Sequence, residues 1–328
     1  MSPRRKAKQS PSDLPSTMRA AAIDKFGPPS VLQLHELPIP RPSPREVLIA
    51  LEWVGVGSWD AAIREGSWAE GKTKFPLVLG VDGSGTVVAK GSRVRRLRVG
   101  DRVWAYQFEN PKGGFYAEYV VAREDHVDRV LGRLTMRDAG TLPVSGLTAL
   151  VGMQTLRLRR GSVVLVFGAS GTVGTVAVQM AKQRGAFVAA TASGASAQHF
   201  LRRLGADYVV DARKRSSAEQ LRDALPKPLE SILALAGGPD LERFIDLLGS
   251  KGRVAYPNGV EPEPKKRKGL TIKAFDGISD PRHFAELRKF AERGLKAVVA
   301  AEFPLSRSAD AHRRLEKGHV LGRIVLRV

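Results

Sequence analysis

Apolar and polar positions follow two different rhythms along this 328-residue chain. Before about residue 140 the apolar runs are short and interrupted by Gly and Pro. Residues 18–23 open with a nearly all-apolar run, residues 31–37 alternate, and Pro38, Pro40, Pro42 and Pro44 stiffen the loop that follows. Residues 46–54, 80–89 and 115–121 read as further strands, and the turn Gly100-Asp101 leads into another at Val103. Short β-branched runs between turn residues predict a β-rich unit.

From about residue 140, apolar runs of about five residues alternate with helical stretches. Strands are predicted at 163–167, 187–191, 208–210, 232–235, 252–256 and 270–275. Helices are predicted at 173–184, 195–204, 217–225, 240–248 and 281–293. That alternation predicts an α/β unit with a doubly wound parallel sheet and right-handed crossovers. The tail from about residue 297 holds a helix at 308–317 and a last strand at 323–328.

One motif carries chemistry. Gly168-Ala169-Ser170-Gly171-Thr172-Val173-Gly174 follows an all-apolar strand and opens an apolar-periodic helix. In that setting a glycine-spaced turn reads as a dinucleotide site. Gly171 lets backbone approach a pyrophosphate, Gly174 lets the helix lie close to the strand, and the helix N-terminus attracts the anion. A tight turn with no ligand is the plainer alternative. The second strand ends in Ala190-Thr191-Ala192-Ser193-Gly194, without Asp or Glu. A carboxylate there would hold the ribose hydroxyls of NAD and repel a 2′-phosphate. Its absence, with Ser193 present, favours NADPH over NADH.

Composition removes several alternatives. The chain has no cysteine, so disulfides, cysteine-ligated zinc, iron–sulfur clusters and a thiolate nucleophile are excluded. This fits a reducing, cytoplasmic setting without requiring one. Lys and Arg number 53 against 33 Asp and Glu, a net charge of +20. The basic residues are dispersed, in runs no longer than four, and no zinc-finger or RNP motif accompanies them. A basic surface that favours anionic cofactors therefore outweighs a nucleic-acid role. Residues 1–17 are basic and rich in Ser and Pro, and read as a disordered tail rather than a secretory signal. Residues 161–181 lack charge over a membrane-spanning length, but their glycine cluster suits a strand, turn and helix instead of a membrane segment.

With these residues in view, the chain resembles the medium-chain dehydrogenase/reductase superfamily and, within it, the zinc-independent quinone oxidoreductase branch. The landmarks are Gly55-Val56-Gly57-Ser58-Trp59-Asp60 with Arg64 and Gly66, Gly100-Asp101-Arg102-Val103, Leu142 to Ala149, the Gly168 turn, Gly205-Ala206-Asp207 and Gly322-Arg323-Ile324-Val325-Leu326. The resemblance implies a GroES-like β-rich catalytic domain from residues 18–140 plus 297–328. A Rossmann cofactor domain, residues 141–296, is inserted between them, and a homodimer forms through the edge strand at 270–275. It implies hydride transfer from NADPH to a quinone or an α,β-unsaturated carbonyl. The rivals are an enoyl or alkenal reductase of the same superfamily and a non-catalytic nucleotide- or nucleic-acid-binding protein on this fold.

The resemblance also assigns residues. Gly168, Ser170, Gly171, Thr172, Val173 and Gly174 cradle the cofactor, with Ser193 at the adenosine ribose, Gly237 after the fourth strand, and Thr148 and Asn258 near the nicotinamide. Gly322 closes the site, with Arg323 near the phosphates. Ser58, Trp59, Asp60, Trp68 and Tyr106 are pocket candidates, although Asp60 also suits a helix cap paired with Arg64. No catalytic acid stands out, and solvent can supply the proton. The chain departs from the zinc members, which place a cysteine at Gly57 and His-Glu at Val81-Asp82, so no zinc is expected. It departs from quinone reductases too, with Ala197 and Ala212 where a Lys and a Tyr serve the 2′-phosphate. Arg202, Arg203, Arg213 or Lys214 are possible substitutes.

Overall fold

Val163–Phe167 is apolar without alternation, and such a strand is stable only where both sheet faces are covered. It lies inside a six-stranded parallel sheet ordered Tyr208–Val210, Phe187–Thr191, Val163–Phe167, Leu229–Ala234, Leu248–Pro257 and Thr271–Phe275. Helices Thr172–Gln183, Ala195–Arg203, Ser217–Ala224 and Pro239–Ile245 form the crossovers. The strand order reverses between Val163–Phe167 and Leu229–Ala234, which is where open sheets of this type place a ligand. Thr271–Phe275 is an edge strand of this sheet.

The computed structural model describes residues 14–68, 73–132 and 134–328. Most of the tail expected at 1–17 lies outside these, and Thr17 already belongs to the first strand, Thr17–Ile23. A second, mostly antiparallel sheet runs Val299–Pro304, Arg323–Arg327, Glu46–Val56, Asp82–Lys90, Arg102–Tyr106 and Val127–Arg129, with Tyr119–Arg123 also on Glu46–Val56. The tail therefore returns to the β-rich part: Ile324 sits opposite Val56 and Arg327 opposite Trp53. This return brings Arg323 beside the end of Glu46–Val56. The architecture is a GroES-like β-rich unit with a Rossmann-type parallel-sheet unit.

One expectation needs adjusting. The strand expected at 115–121 starts only at Tyr119, because Phe115, Tyr116 and Ala117 are buried in an irregular turn whose backbone bonds to Gly80, Leu79 and Phe115 itself. Pro143–Thr155, which shows no helical periodicity, is a helix. Its residues from Pro143 to Met153 are all buried, and a helix covered all round carries no amphipathic stripe. It packs between the two units, where Trp104 and Phe284 also meet at 5.8 Å. No helix among the described residues is long and apolar enough to cross a membrane.

Candidate functional site

The glycine turn sits at the C-terminal end of Val163–Phe167. Gly171 is the N-cap of Thr172–Gln183 and brings no side chain, so nothing caps that helix end. The first intrahelical bond is Thr175 N–H to Gly171 O, leaving the N–H groups of Thr172, Val173 and Gly174 without intrahelical acceptors. Gly174 is required by packing: a Cβ there would lie 2.5 Å from Ala169 Cα. Gly171 is different, since a Cβ there would meet nothing closer than Gly168 O at 3.6 Å. The space beside it is open, as an approaching phosphate needs.

Two contacts outside the motif fix the turn. Thr191 Oγ1 accepts from Gly168 N–H at 2.8 Å. Gly322 N–H donates to Ser170 O at 3.0 Å, and Thr172 Oγ1 donates to Gly322 O at 3.1 Å, so the tail clasps the turn from above. Ser193 is exposed just past the end of Phe187–Thr191. Arg213 is exposed near the neighbouring strand end, where it grips Asp211 at 2.9 Å. Gly237 backs directly onto Pro262 O, so that side of it is closed to a ligand. Taken together, the bare helix end, the open Gly171 face and the sheet's switch point fit a dinucleotide.

Thr148, Asn258 and Tyr106 are each tied to the segment 276–279 at the junction of the two units. Thr148 lies against Gly277, and Asn258 Nδ2 donates to Asp276 at 2.7 Å. Ser279 Oγ donates to Tyr106 O, which ties the segment after Thr271–Phe275 to the β-rich unit. Tyr106 is 9% exposed, and burial, reinforced by Asp82 and Asp276, pushes its phenol well up, so it stays protonated. Ser58 is exposed at the start of helix Ser58–Glu65, Trp59 is half-buried beside it, and Trp68 lies just beyond the helix. Two surface hollows of about 390 and 400 Å³ lie elsewhere, one by Val163 and Phe187 at the opposite strand ends, the other against helix Pro281–Glu292.

Arg323 is not where the resemblance puts it. It is 1% exposed, and its guanidinium holds Asp82 with both nitrogens, at 2.7 and 2.5 Å, and Thr141 O at 2.9 Å. A Cβ on Gly55 would lie 2.0 Å from this guanidinium, and one on Gly57 would lie 2.2 Å from the Trp59 ring. The two glycines thus make a floor on which Arg323 and Trp59 lie, with Arg323 Cζ 5.6 Å from the indole centroid. A phosphate contact is corrected to a buried ion pair: both terminal nitrogens are committed to Asp82 and Thr141 O inside the protein, and the Nε that has no partner is buried with them. Burial pushes the Asp82 carboxyl up, and Arg323 and the Val144 N–H pull it back.

Asp60 is fully buried and does cap its helix, accepting from Gly57 N–H at 2.8 Å. The expected pair with Arg64 does not form. Arg64, also fully buried, turns the other way to Gly27 O, His312, Glu65 and Glu316. His312, which nothing in the sequence singles out from the other five histidines, links the two sides. Its Nδ1 lies 2.9 Å from Arg64 and its Nε2 3.2 Å from Tyr116 Oη, which reaches Asp60 at 3.3 Å. Arg64 can only donate, so Nδ1 accepts, Nε2–H donates to Tyr116, and Tyr116 donates to Asp60. Burial pushes the Asp60 carboxyl up to about 7 and holds His312 down at about 3, where it is neutral.

The donor set does not fit a zinc ion. There is no cysteine in the chain, and no three His, Asp or Glu converge among the described residues. Asp82 is taken by Arg323, and a side chain at 57 would collide with Trp59.

Residues 43–131 match the family model "Alcohol dehydrogenase GroES-like domain", and residues 204–326 match "Zinc-binding dehydrogenase". The chain is 31% identical to an alcohol dehydrogenase of Rhizobium meliloti, over 94% of this chain and 98% of that protein. It is similar to the solved quinone oxidoreductase of Coxiella burnetii, with TM-score 0.84 and 32% identity over 95% of this chain and 99% of that one. The mycobacterial protein Rv1454c, solved in complex with NADPH, matches with TM-score 0.83 and 26% identity, over 95% of this chain and 100% of that one. The chain is therefore an oxidoreductase of the medium-chain dehydrogenase/reductase family, quinone oxidoreductase-like within it.

Proposed function

We propose that this chain is an NADPH-dependent, metal-free reductase of quinones. The observation that carries the reading is the uncapped helix N-terminus at Gly171, open on its ligand side and opposite a junction lined by Thr148, Asn258 and Tyr106. The N–H groups of Thr172, Val173 and Gly174 would bind the pyrophosphate. Ser193 flanks the adenosine ribose, and Arg213, partly neutralised by Asp211, is an exposed cation at the neighbouring strand end for a 2′-phosphate. When bound, the dihydronicotinamide supplies the hydride; the chain's part is to orient it and shield the reacting face. Tyr106, Thr148 and Asn258 shape that face, and solvent at the exposed Asn258 side supplies the proton. Arg323 keeps Asp82 neutralised, a charge balance that in this chain requires no cation from solution. The complex of the mycobacterial relative with NADPH supports the coenzyme, and the Coxiella burnetii relative supports the acceptor.

Reduction of an enone is the related alternative, and the same assay separates the two. NADPH oxidation is followed with quinones and enones, with NADH alongside. Quinone turnover with NADPH is expected. No NADPH binding and no turnover with any acceptor would overturn the reading. The free edge of Thr271–Phe275 offers backbone groups to a second copy, as a homodimer would use them; a monomer by light scattering refutes that part.

A further inference from the structure

Trp68 and Phe108 are 43% and 46% exposed, which is unusual for side chains of their size. They are not scattered. Their rings lie 6.1 Å apart at 55°, an aromatic pair held at the surface. Trp68 follows helix Ser58–Glu65, and Phe108 stands two residues beyond Tyr106 at the end of Arg102–Tyr106. The indole also reaches the other unit. A Cβ on Gly259 would lie 2.7 Å from Trp68 Cζ2, so the ring rests on the backbone next to Asn258. Ile278, 43% exposed, stands one residue from Ser279, whose hydroxyl is bonded to Tyr106 O. Apolar side chains from both units therefore stand beside Asn258 and the segment 276–279, to which Thr148 and Tyr106 are also tied.

The rim has a definite chemical character. Asp276 beside it is engaged by Asn258 at 2.7 Å, and Glu109, exposed next to Phe108, adds a second carboxylate. These two carboxylates disfavour an anionic acceptor. A flat, uncharged, electron-poor ring finds two aromatic faces, and an apolar substituent finds surface that is otherwise in contact with water. Exposed apolar surface that is continuous with a polar site marks a place where a ligand extends beyond the reacting centre.

Resting on the quinone-reductase reading above, we infer that Trp68 and Phe108 form an acceptor subsite that selects quinones carrying a fused second ring or an alkyl tail over unsubstituted benzoquinone. Binding there acts on the part of the acceptor that does not react. It contributes to kcat/KM and adds nothing to coenzyme affinity.

The experiment compares kcat/KM with NADPH for 1,4-benzoquinone, 1,4-naphthoquinone and a decyl-substituted benzoquinone. Trp68→Ala, Phe108→Ala and Trp68→Phe are each set against the unsubstituted protein on the same acceptor, so intrinsic reactivity cancels. The two alanine variants are expected to lower kcat/KM about tenfold more for naphthoquinone and the decyl compound than for benzoquinone, a scale consistent with the loss of one apolar contact. Trp68→Phe is expected to restore most of the loss, which a general structural defect would not allow. NADPH affinity, read by direct titration, is expected to stay put. Equal losses on all three acceptors, or none, overturn the subsite while leaving the reductase reading intact. Bound NADPH without turnover of any of the three overturns the reductase reading and the subsite with it.

Discussion

The glycine turn of residues 168–174 and the charged cluster beneath Trp59 are built in opposite ways. The turn is made of backbone. On the proposed reading its binding groups are three N–H groups at a helix end, placed by seven consecutive residues and a strand. The cluster is made of side chains. Asp60, Asp82, Tyr116, His312 and Arg323 are all buried, and they come from distant parts of the chain. Asp82 and Arg323, which hold each other at 2.5 Å, are 241 residues apart. The turn leaves polar groups open for a partner that arrives later. The cluster closes most of its polar groups on one another or on nearby backbone, with Asp60 Oδ1 and Arg323 Nε left over. On that reading the difference assigns coenzyme affinity to backbone and the integrity of the β-rich unit to charged side chains. Each half of that statement can be broken separately.

The largest effect is expected at Arg323. Arg323→Met keeps the length and the contact with Trp59 but leaves the Asp82 carboxylate buried without its cation. Breaking a buried pair from one side costs about 3–5 kcal/mol. Urea unfolding should show a loss of that size, and Asp82→Asn combined with Arg323→Met should recover part of it, because no carboxylate is then stranded. A loss below about 1 kcal/mol for Arg323→Met alone would mean that the pair is not what holds the returning tail strand to Glu46–Val56.

The same contrast explains what the sequence made visible. The turn and the strand–helix alternation are local patterns, and their strands and helices lie within a few residues of where periodicity places them. Arg323 is conspicuous in its glycine-flanked motif, yet its partner is set only when the tail folds back beside Val56. No spacing rule links position 82 to position 323. The resemblance therefore led to the phosphates, and the fold leads to Asp82. His312 is equally invisible, one of six scattered histidines until Arg64 and Tyr116 converge on it. Thr191 was in view as part of the second strand, but its hydroxyl's bond to Gly168 N–H depends on the adjacent strand. Helix Pro143–Thr155 escaped because a helix apolar on every face has no stripe to read.

The next effect sharpens the affinity half. Gly171 and Gly174 belong to one motif but differ in their surroundings. Gly174→Val drives a side chain into Ala169 and Gly168 O, and should lower stability by about 3 kcal/mol. Gly171→Val meets only Gly168 O, at an ordinary contact distance, in a conformation that valine tolerates. It should cost about 1 kcal/mol or less in stability. NADPH affinity should nevertheless fall about 100-fold or more, equivalent to about 2.7 kcal/mol, because the added methyls stand where the phosphate approaches. Calorimetric titration beside a thermal melt reads both quantities. Undiminished affinity in a folded Gly171→Val protein would make the turn structural only.

The smallest effect tests whether the cluster is balanced in proton terms as well as in charge. Unfolded, Asp60 releases its proton near 3.8; folded, it keeps it to about 7. Between those values the native state binds more protons, so the Asp60 contribution to stability falls as pH rises. His312 behaves oppositely. Unfolded it takes a proton near 6.5, and folded only near 3, so between them the unfolded state binds more protons and stability rises with pH. The windows overlap from 3.8 to 6.5, and the two slopes oppose each other there. Asp60→Asn removes one slope, and the unfolding free energy from urea titration should then rise with pH relative to the unsubstituted protein, by about 1 kcal/mol per unit. His312→Gln, which can still accept from Arg64 and donate to Tyr116, removes the other, and the trend should reverse. The double variant should track the unsubstituted protein, since the remaining surface carboxylates contribute equally to all four. Parallel pH profiles for both single variants would show that Asp60 and His312 do not titrate as a compensating pair, and that the cluster is held by hydrogen bonding alone.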